Sequence, residues 1–394
     1  MTRTRRGLPL IHDDDIRRAA GRLRPDADTE EVTARVAWSV LIEPGDAVAG
    51  ALIRACGATD ALRIAFGQTG LLSSALVPPR ALHEALARWL PRAQPRAVLD
   101  ALISAQEVGA RVLLPTDDLW PRGLDDLEAH APVLLWSRGD PTVLGALTAA
   151  AIVGARAATS YGEAVAGEIA GDLAARGTLV VSGGAYGIDG AAHRAALGSG
   201  GATAAFLAGG VDRSYPIGHQ QLFERIRQAG VVLSEVPCGS APTKWRFLAR
   251  NRMIAAASLA TVVVEAGWRS GTLNTAGHAS ALGRPLGAVP GPVTSAASAG
   301  CHRLLREYDA ICVTDARQVR ELWGEDDESE QQPHPAIDHD RTRLLDALSI
   351  RSPREPIDLA RRSGLSVDRV RALLGVLDLE GEVQQRAAGW VRSP

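Results

Sequence analysis

AAAIVGARAATSYGEAVAGEIAGDLAARGTLVVSGGAYGIDGAAHRAALGSGGATAAFLAGG, residues 149–210, alternates short apolar runs with stretches of helical spacing. AAAIV, TLVV and ATAAFL are apolar at nearly every position, whereas a strand with one wet face would alternate polar and apolar residues. Strands of this kind are buried on both faces and belong to parallel sheets. The intervening GEAVAGEIAGDLAARG and GIDGAAHRAALGSGG supply the covering helices. The rhythm continues through VVLSE, RFLARNRMIAAAS, ATVVVEA, GTLNTAGHASALG, PLGAVPG and AICVT. Residues 106–324 therefore read as a doubly wound α/β domain, whose ligands bind beyond the carboxyl ends of the strands.

Outward from this body the chain changes character. Residues 1–105 hold apolar stretches at helical spacing, such as VTARVAWSVLI and ALHEALARWL, broken by Gly and Pro, and read as a small helical accessory domain. EDDESEQQPHPAIDHD, residues 325–340, carries seven acids and no Lys or Arg, and reads as a solvated linker. Residues 341–394 follow the order helix, helix, turn, helix and two short strands, the third helix opening at Ser366 as a plausible N-cap. That order suggests a winged helix-turn-helix.

The formal net charge of −2 hides an asymmetry, being the balance of those seven linker acids against a net +5 elsewhere. A nucleic-acid partner is therefore not excluded by charge. Cys56, Cys238, Cys301 and Cys312 form no CxxC pair and no metal-ligand spacing, so reduced thiols, no metal and no cofactor are expected. The N-terminus lacks the apolar core of a secretory signal, and no run approaches the ~18 to 20 apolar residues of a membrane helix; the expectation is a cytoplasmic protein with no membrane partner.

Three strand-to-helix turns carry chemistry. After the first strand stands Gly154-Ala155-Arg156, where a dinucleotide fingerprint would need GxGxxG; a cationic fork replaces the second glycine. Ser182, Gly183 and Gly184, with Tyr186 and Gly187 behind them, would let backbone N–H groups face a phosphate, or serve only a tight turn. Ser270, Gly271 and Thr272 repeat that chemistry ahead of another helix.

A fourth stretch, TKWRFLARNR (243–252), packs Lys244, Arg246, Arg250 and Arg252 around Trp245 and Phe247, with Asn251 between the last two cations; Lys244 is the chain's one lysine. No acid stands between Glu235 and Glu265. Cations at a helix start oppose its macrodipole, so an anionic ligand is expected there unless distant carboxylates pair with them. Four cations interleaved with two rings suit single-stranded nucleic acid, whose phosphates track the charge and whose bases stack.

Taken in order, these elements resemble the DNA-processing protein A (DprA/Smf) family: GAR (154–156), SGGAYGID with Ala192 and His193 following, GGVDRSYP (209–216), SEVP (234–237), KWRFLARNRMIAAAS, VVEAGWRSGTLNTA, AVPGP and SAGCHRLL (298–305). The resemblance implies a Rossmann-like core with a helical, SAM-like N-terminal domain and a C-terminal winged-helix domain. It further implies a cytoplasmic homodimer that binds and shields single-stranded DNA and helps load RecA recombinase in natural transformation or recombination, with no catalytic turnover. By position it brings Arg156, Ser182, Gly183, Lys244, Phe247 and Arg250 to the strand. Where the family often has SGLARGID this chain has Gly184 and Tyr186, so Tyr186 would stack a base in place of a frequent arginine, and His302 stands where asparagine is usual.

Two rival readings belong to other classes. A nucleotide phosphoribohydrolase of the lysine-decarboxylase-like group would need PGGxGTxxE, but aligning Gly271-Thr272 to its GT puts Thr275 where the catalytic carboxylate belongs. A winged-helix regulator would recognise duplex DNA through residues 341–394 alone.

Overall fold

The structure is a computed structural model and describes residues 9–66, 77–325, 339–379 and 381–393. Two compact units divide between Glu325 and Asp326. Most of the acidic run, residues 326–338, lies outside the described residues.

The first unit is built on one nine-stranded sheet: β1 (Arg111–Leu113), β2 (Leu135–Gly139), β3 (Ala149–Val153), β4 (Leu179–Ser182), β5 (Thr203–Leu207), β6 (Val231–Ser234), β7 (Ala260–Val263), β8 (Leu286–Ala288) and β9 (Ile311–Cys312), in the order β1-β2-β6-β5-β4-β3-β7-β8-β9. Strands β3 to β9 are parallel to one another. This is the doubly wound, Rossmann-like sheet the sequence predicts. Its strands serve two cores with the period of two that a strand dictates: Ala151, Val153 and Val263 pack on one face, Ala150, Ile152 and Val262 on the other.

Strands β1 and β2 are not distinguishable in the sequence. They join the β6 edge antiparallel, Trp136 beside Ser234 and Val112 beside Trp136, and β2 ends in the polar Ser137, Arg138 and Gly139. Only partners far along the chain make such segments strands.

The helical N-terminal domain comprises Thr29–Leu41, Ala47–Ala65, Pro79–Trp89 and Pro95–Glu107, preceded by Pro9–His12 and Asp14–Leu23. Asp13, Asp28 and Asp46 accept first-turn N–H groups at three of the helix starts, satisfying donors that a helix cannot satisfy itself. Its apolar faces share one core with Ala205, Leu207, Phe223, Ile226 and Val232, so the helices are seated on the β5–β6 side of the sheet.

The second unit is a winged helix: His339–Ala347, Pro356–Ser363 and Val367–Leu379, then the hairpin β10 (Val383–Arg386) and β11 (Gly389–Arg392). Leu344, Leu359, Val370, Leu374 and Leu377 fill its core. The Arg369 N–H donates to Ser366 Oγ at 3.3 Å, the cap expected from the sequence.

From β3 the chain steps outward through β4, β5 and β6, then returns to β7 on the other side of β3. Val153 and Val263 lie side by side at the ends of those two strands. Loops leaving them must diverge, and the crevice so made is where ligands of open α/β sheets bind.

Candidate nucleic-acid interface

That crevice is a cavity of about 340 Å³ lined by Arg156, Phe247, Arg250, Asn251, Gly271 and Thr272, with Ser270 and Asp189 at its wall. Each group arrives for a local reason. The Ala155 N–H donates to the Glu265 carbonyl at 2.7 Å, tying the β3 loop to the end of β7. Gly187 adopts φ +72°, and a Cβ there would lie 2.3 Å from the Ala155 carbonyl, so only glycine lets the Arg156 loop settle on the helix Ile188–Gly198. Thr272 Oγ1 donates to the Gly154 carbonyl at 2.8 Å, and its N–H donates to Ser270 Oγ at 3.3 Å.

The 243–252 stretch forms the start of the helix Lys244–Ala256, with Thr243 Oγ1 accepting the Arg246 N–H at 3.2 Å. Helical spacing then separates its cations. Lys244, Phe247, Leu248 and Asn251 share one face, three or four residues apart, and Phe247, Leu248 and Asn251 line the cavity. Lys244 is exposed one turn ahead of them and pairs with no carboxylate among the described residues. Arg156, also exposed, lays its guanidinium 4.7 Å from the centre of the Phe247 ring and likewise has no carboxylate partner among the described residues. The Arg250 guanidinium lies 5.9 Å from the centre of the same ring, so the half-exposed Phe247 carries two cations, a grouping suited to a phosphate with an adjoining base.

Other predicted site residues are turned away or already engaged. Arg246 grips Glu43 with both arms at 2.9 Å and also donates to the Ala241 carbonyl. Burial works to raise the Glu43 carboxyl, but hydrogen bonds from Arg246 and Arg92 outweigh it and hold the group below its ordinary range. Arg252 pairs with Glu235 at 2.7 Å, both side chains buried, and donates to the His130 and Ala249 carbonyls. Neither reaches the cavity, which corrects the expectation that all four cations face a ligand.

Ser182 is also corrected: it is fully buried, and its hydroxyl is consumed by the Ile152 carbonyl at 2.7 Å, bracing β4 against β3. The backbone cradle expected at Gly183 is already filled by a carboxyl of the chain itself. Asp189, in the first turn of the following helix, accepts the N–H groups of Gly183 at 3.1 Å and Ala185 at 3.4 Å. Burial pushes the Asp189 carboxyl up against the pull of Arg250 and these N–H groups.

Arg250 is 5% exposed and acts as a brace behind the cavity. Its Nη1 donates to the carbonyls of Gly183, at 2.8 Å, and Phe206. A Cβ on Gly183 would stand 2.4 Å from that guanidinium, so the glycine serves this contact. Burial pushes Arg250 down to about 10, which leaves it charged at neutral pH behind Phe247. Asn251 is held by Asn274 at 3.3 Å. Tyr186 is exposed to one side of the cavity, its hydroxyl accepting the Gly218 N–H at 3.2 Å and its ring edge-on to His219. His302 holds the Gly291 carbonyl at 3.0 Å.

Sequence reasoning missed Trp268, 56% exposed, and the exposed Arg269 beside Ser270. It also missed Glu265, buried at the end of β7, whose carboxylate accepts the Thr159 N–H at 2.9 Å and hydroxyl at 2.6 Å. An acid directly after the apolar run TVVV, in a stretch otherwise free of acids, was the available signal. A larger cavity of about 980 Å³ between β1 and the first helices carries Asp26, Asp28, Glu31, Asp117 and Asp118 against Arg24 and Arg111, chemistry that repels a polyanion. Among the described residues no cluster of His, Cys, Asp or Glu has metal-binding geometry, and no helix is long and apolar enough to cross a membrane.

Residues 111–324 match the family model for DNA recombination-mediator protein A, and residues 328–389 match that for the DprA winged helix domain. A DNA processing protein DprA of Mycobacterium tuberculosis is 44% identical over 380 residues, covering 91% of this chain and 94% of that protein. Protein Smf of Escherichia coli is 34% identical over 293 residues, 68% of this chain and 76% of that one. Among solved structures, DNA processing protein A from Streptococcus pneumoniae superposes with a TM-score of 0.60 at 30% identity, over 74% of this chain and 96% of that one. With that coverage and identity, the chain belongs to the DNA-processing protein A family, described equally as DNA recombination-mediator protein A.

Proposed function

We propose that the crevice between the β3 and β7 loops is a groove for single-stranded DNA, and that the protein shields the strand and passes it to RecA recombinase without catalytic turnover. The observation that carries this reading is Arg156 stacked on Phe247, beside the exposed Lys244 on the same helical face. Phosphates follow the cations while an unstacked base lies against the ring, an interaction worth ~1 to 3 kcal/mol per base and closed to a base held inside a duplex. The carboxylate at the cavity wall, Asp189, is committed to backbone N–H groups, and buried Thr275 stands where a phosphoribohydrolase would need its acid, so the wall offers binding groups rather than an acid/base pair.

The action takes place in the cytoplasm, with a homodimer aligning two such grooves on one strand. The winged helix is an auxiliary module, and the groove in the first unit carries the strand. The test is fluorescence anisotropy of a labelled oligo-dT against a duplex of equal length, with the full chain and with residues 341–394 deleted. The expected result is single-strand preference that survives the deletion. Equal binding of both nucleic acids, or loss of all binding on deletion, would overturn the assignment of the groove; release of ribose 5-phosphate from a nucleoside monophosphate would overturn the non-enzymatic reading.

A further inference from the structure

Beyond Phe247, along the carboxyl edge of the sheet, stands a ring that neither the motifs nor the cavity accounts for. Tyr215, in the loop leaving β5, is 46% exposed, and its ring centre lies 5.5 Å from that of Phe247 with the planes tilted by 49°. We infer that Tyr215 is a second base platform, continuing the Phe247 step toward β5; this rests on the single-strand reading of the groove.

Three observations support it. The loop is fixed rather than left to solvent: the Gly210 N–H donates to the Ser240 carbonyl at 3.0 Å, and Asp212 accepts the Gly239 N–H at 2.9 Å. These bonds tie the Tyr215 loop to the segment that delivers Phe247, so the two rings keep their spacing. On its far side the loop is braced by Tyr186, whose hydroxyl takes the Gly218 N–H and whose ring packs on His219. Tyr186 is thereby a positioning residue for this platform, not the stacking ring its place in the motif suggested. The charge is also suitable. The nearest acid in the loop, Asp212, is held by Gly239 and by Arg213 at 3.2 Å, and Arg156 lies across Phe247 from the same row. A large exposed ring in contact with a proposed stacking ring, on a loop tied in place, suits a neighbouring base better than a core it does not enter.

The experiment uses two probes of equal length, labelled oligo-dT and an oligomer of abasic sugar-phosphate units, with wild type, Tyr215→Ala, Tyr215→Phe and Tyr186→Phe. Tyr215→Ala is expected to weaken oligo-dT binding by roughly 5- to 100-fold, the loss of one stacked base, and to leave the abasic probe unchanged; Tyr215→Phe keeps wild-type affinity. Tyr186→Phe gives a smaller loss, again on oligo-dT alone. Photo-crosslinking an oligo-dT carrying 5-iododeoxyuridine should yield adducts at Tyr215 as well as Phe247. Unchanged oligo-dT affinity in Tyr215→Ala, equal losses on both probes, or adducts at Phe247 without Tyr215 would each overturn the platform while leaving the groove standing. Failure of the wild type to bind oligo-dT would remove the groove and the platform together.

Discussion

The two sides of the helix Lys244–Ala256 carry the same kinds of residue and serve opposite purposes. On one side Lys244 and Phe247, joined by Arg156 from the β3 loop, stay open to a ligand. On the other Arg246 and Arg252 are locked to Glu43 and Glu235. What separates them is whether a carboxylate lies within reach in the folded chain, and for Arg246 that carboxylate lies 203 residues away in sequence. The fold thus leaves Lys244 of this basic cluster open and commits Arg246 and Arg252 to carboxylates; under the proposed function the open part is the binding face.

The largest effect expected from this contrast is on the buried side. Arg252→Ala leaves Glu235 buried with only the Gly45 N–H, and breaking such a pair costs about 3–5 kcal/mol of stability. Urea denaturation followed by tryptophan fluorescence should report it, while oligo-dT affinity of the folded fraction stays at the wild-type value. Arg156→Ala should do the reverse. It is expected to lower oligo-dT affinity about tenfold or more, the scale of one charge-assisted contact, with the denaturation midpoint unmoved.

Smaller still is the effect of Arg246→Ala, because Glu43 is 35% exposed in its side chain and solvent screens the pair; about 0.5–1 kcal/mol is expected. Its sign with pH follows from the lowered Glu43 pKa. A carboxyl whose folded pKa lies below its unfolded value contributes stability that is fully present above the ordinary carboxylate range and disappears as pH falls through the folded pKa. Denaturation midpoints of wild type and Arg246→Ala should therefore converge on acidification and separate near neutrality. Parallel curves would show that the pair does not act as a pair.

The sheet was legible because its signal is local: β3 to β8 are apolar along almost their whole length, a composition that belongs to strands covered on both faces. Ser366 was equally legible, since a cap acts within one turn. Of the residues expected at the site, some line one cavity at the ends of β3 and β7 and others are engaged elsewhere in the fold. Ser182 has the residue type of a phosphate turn, yet its hydroxyl answers to the Ile152 carbonyl on the neighbouring strand. The Gly183 and Ala185 N–H groups point toward an acceptor as the turn chemistry implies, but that acceptor is the Asp189 carboxyl. Arg246 and Arg252 were misassigned for the same reason: residue type announces what a group can bind, and only tertiary structure decides which partner satisfies it. Tyr215 was passed over within a quoted motif because nothing in its local sequence places it against Phe247.

The claim that the cluster is divided is tested most directly by the salt dependence of oligo-dT binding, measured in parallel for wild type, Lys244→Ala and Arg246→Ala. With Arg156, Lys244 and Arg269 as the exposed cations near the groove, the wild-type slope of log K against log salt should be about −2, or −0.7 for each of three phosphates. Lys244→Ala should make it shallower by roughly 0.7, and Arg246→Ala should leave it unchanged. Equal changes in both variants, or a change in Arg246→Ala alone, would contradict the division of the helix into a binding face and a structural one.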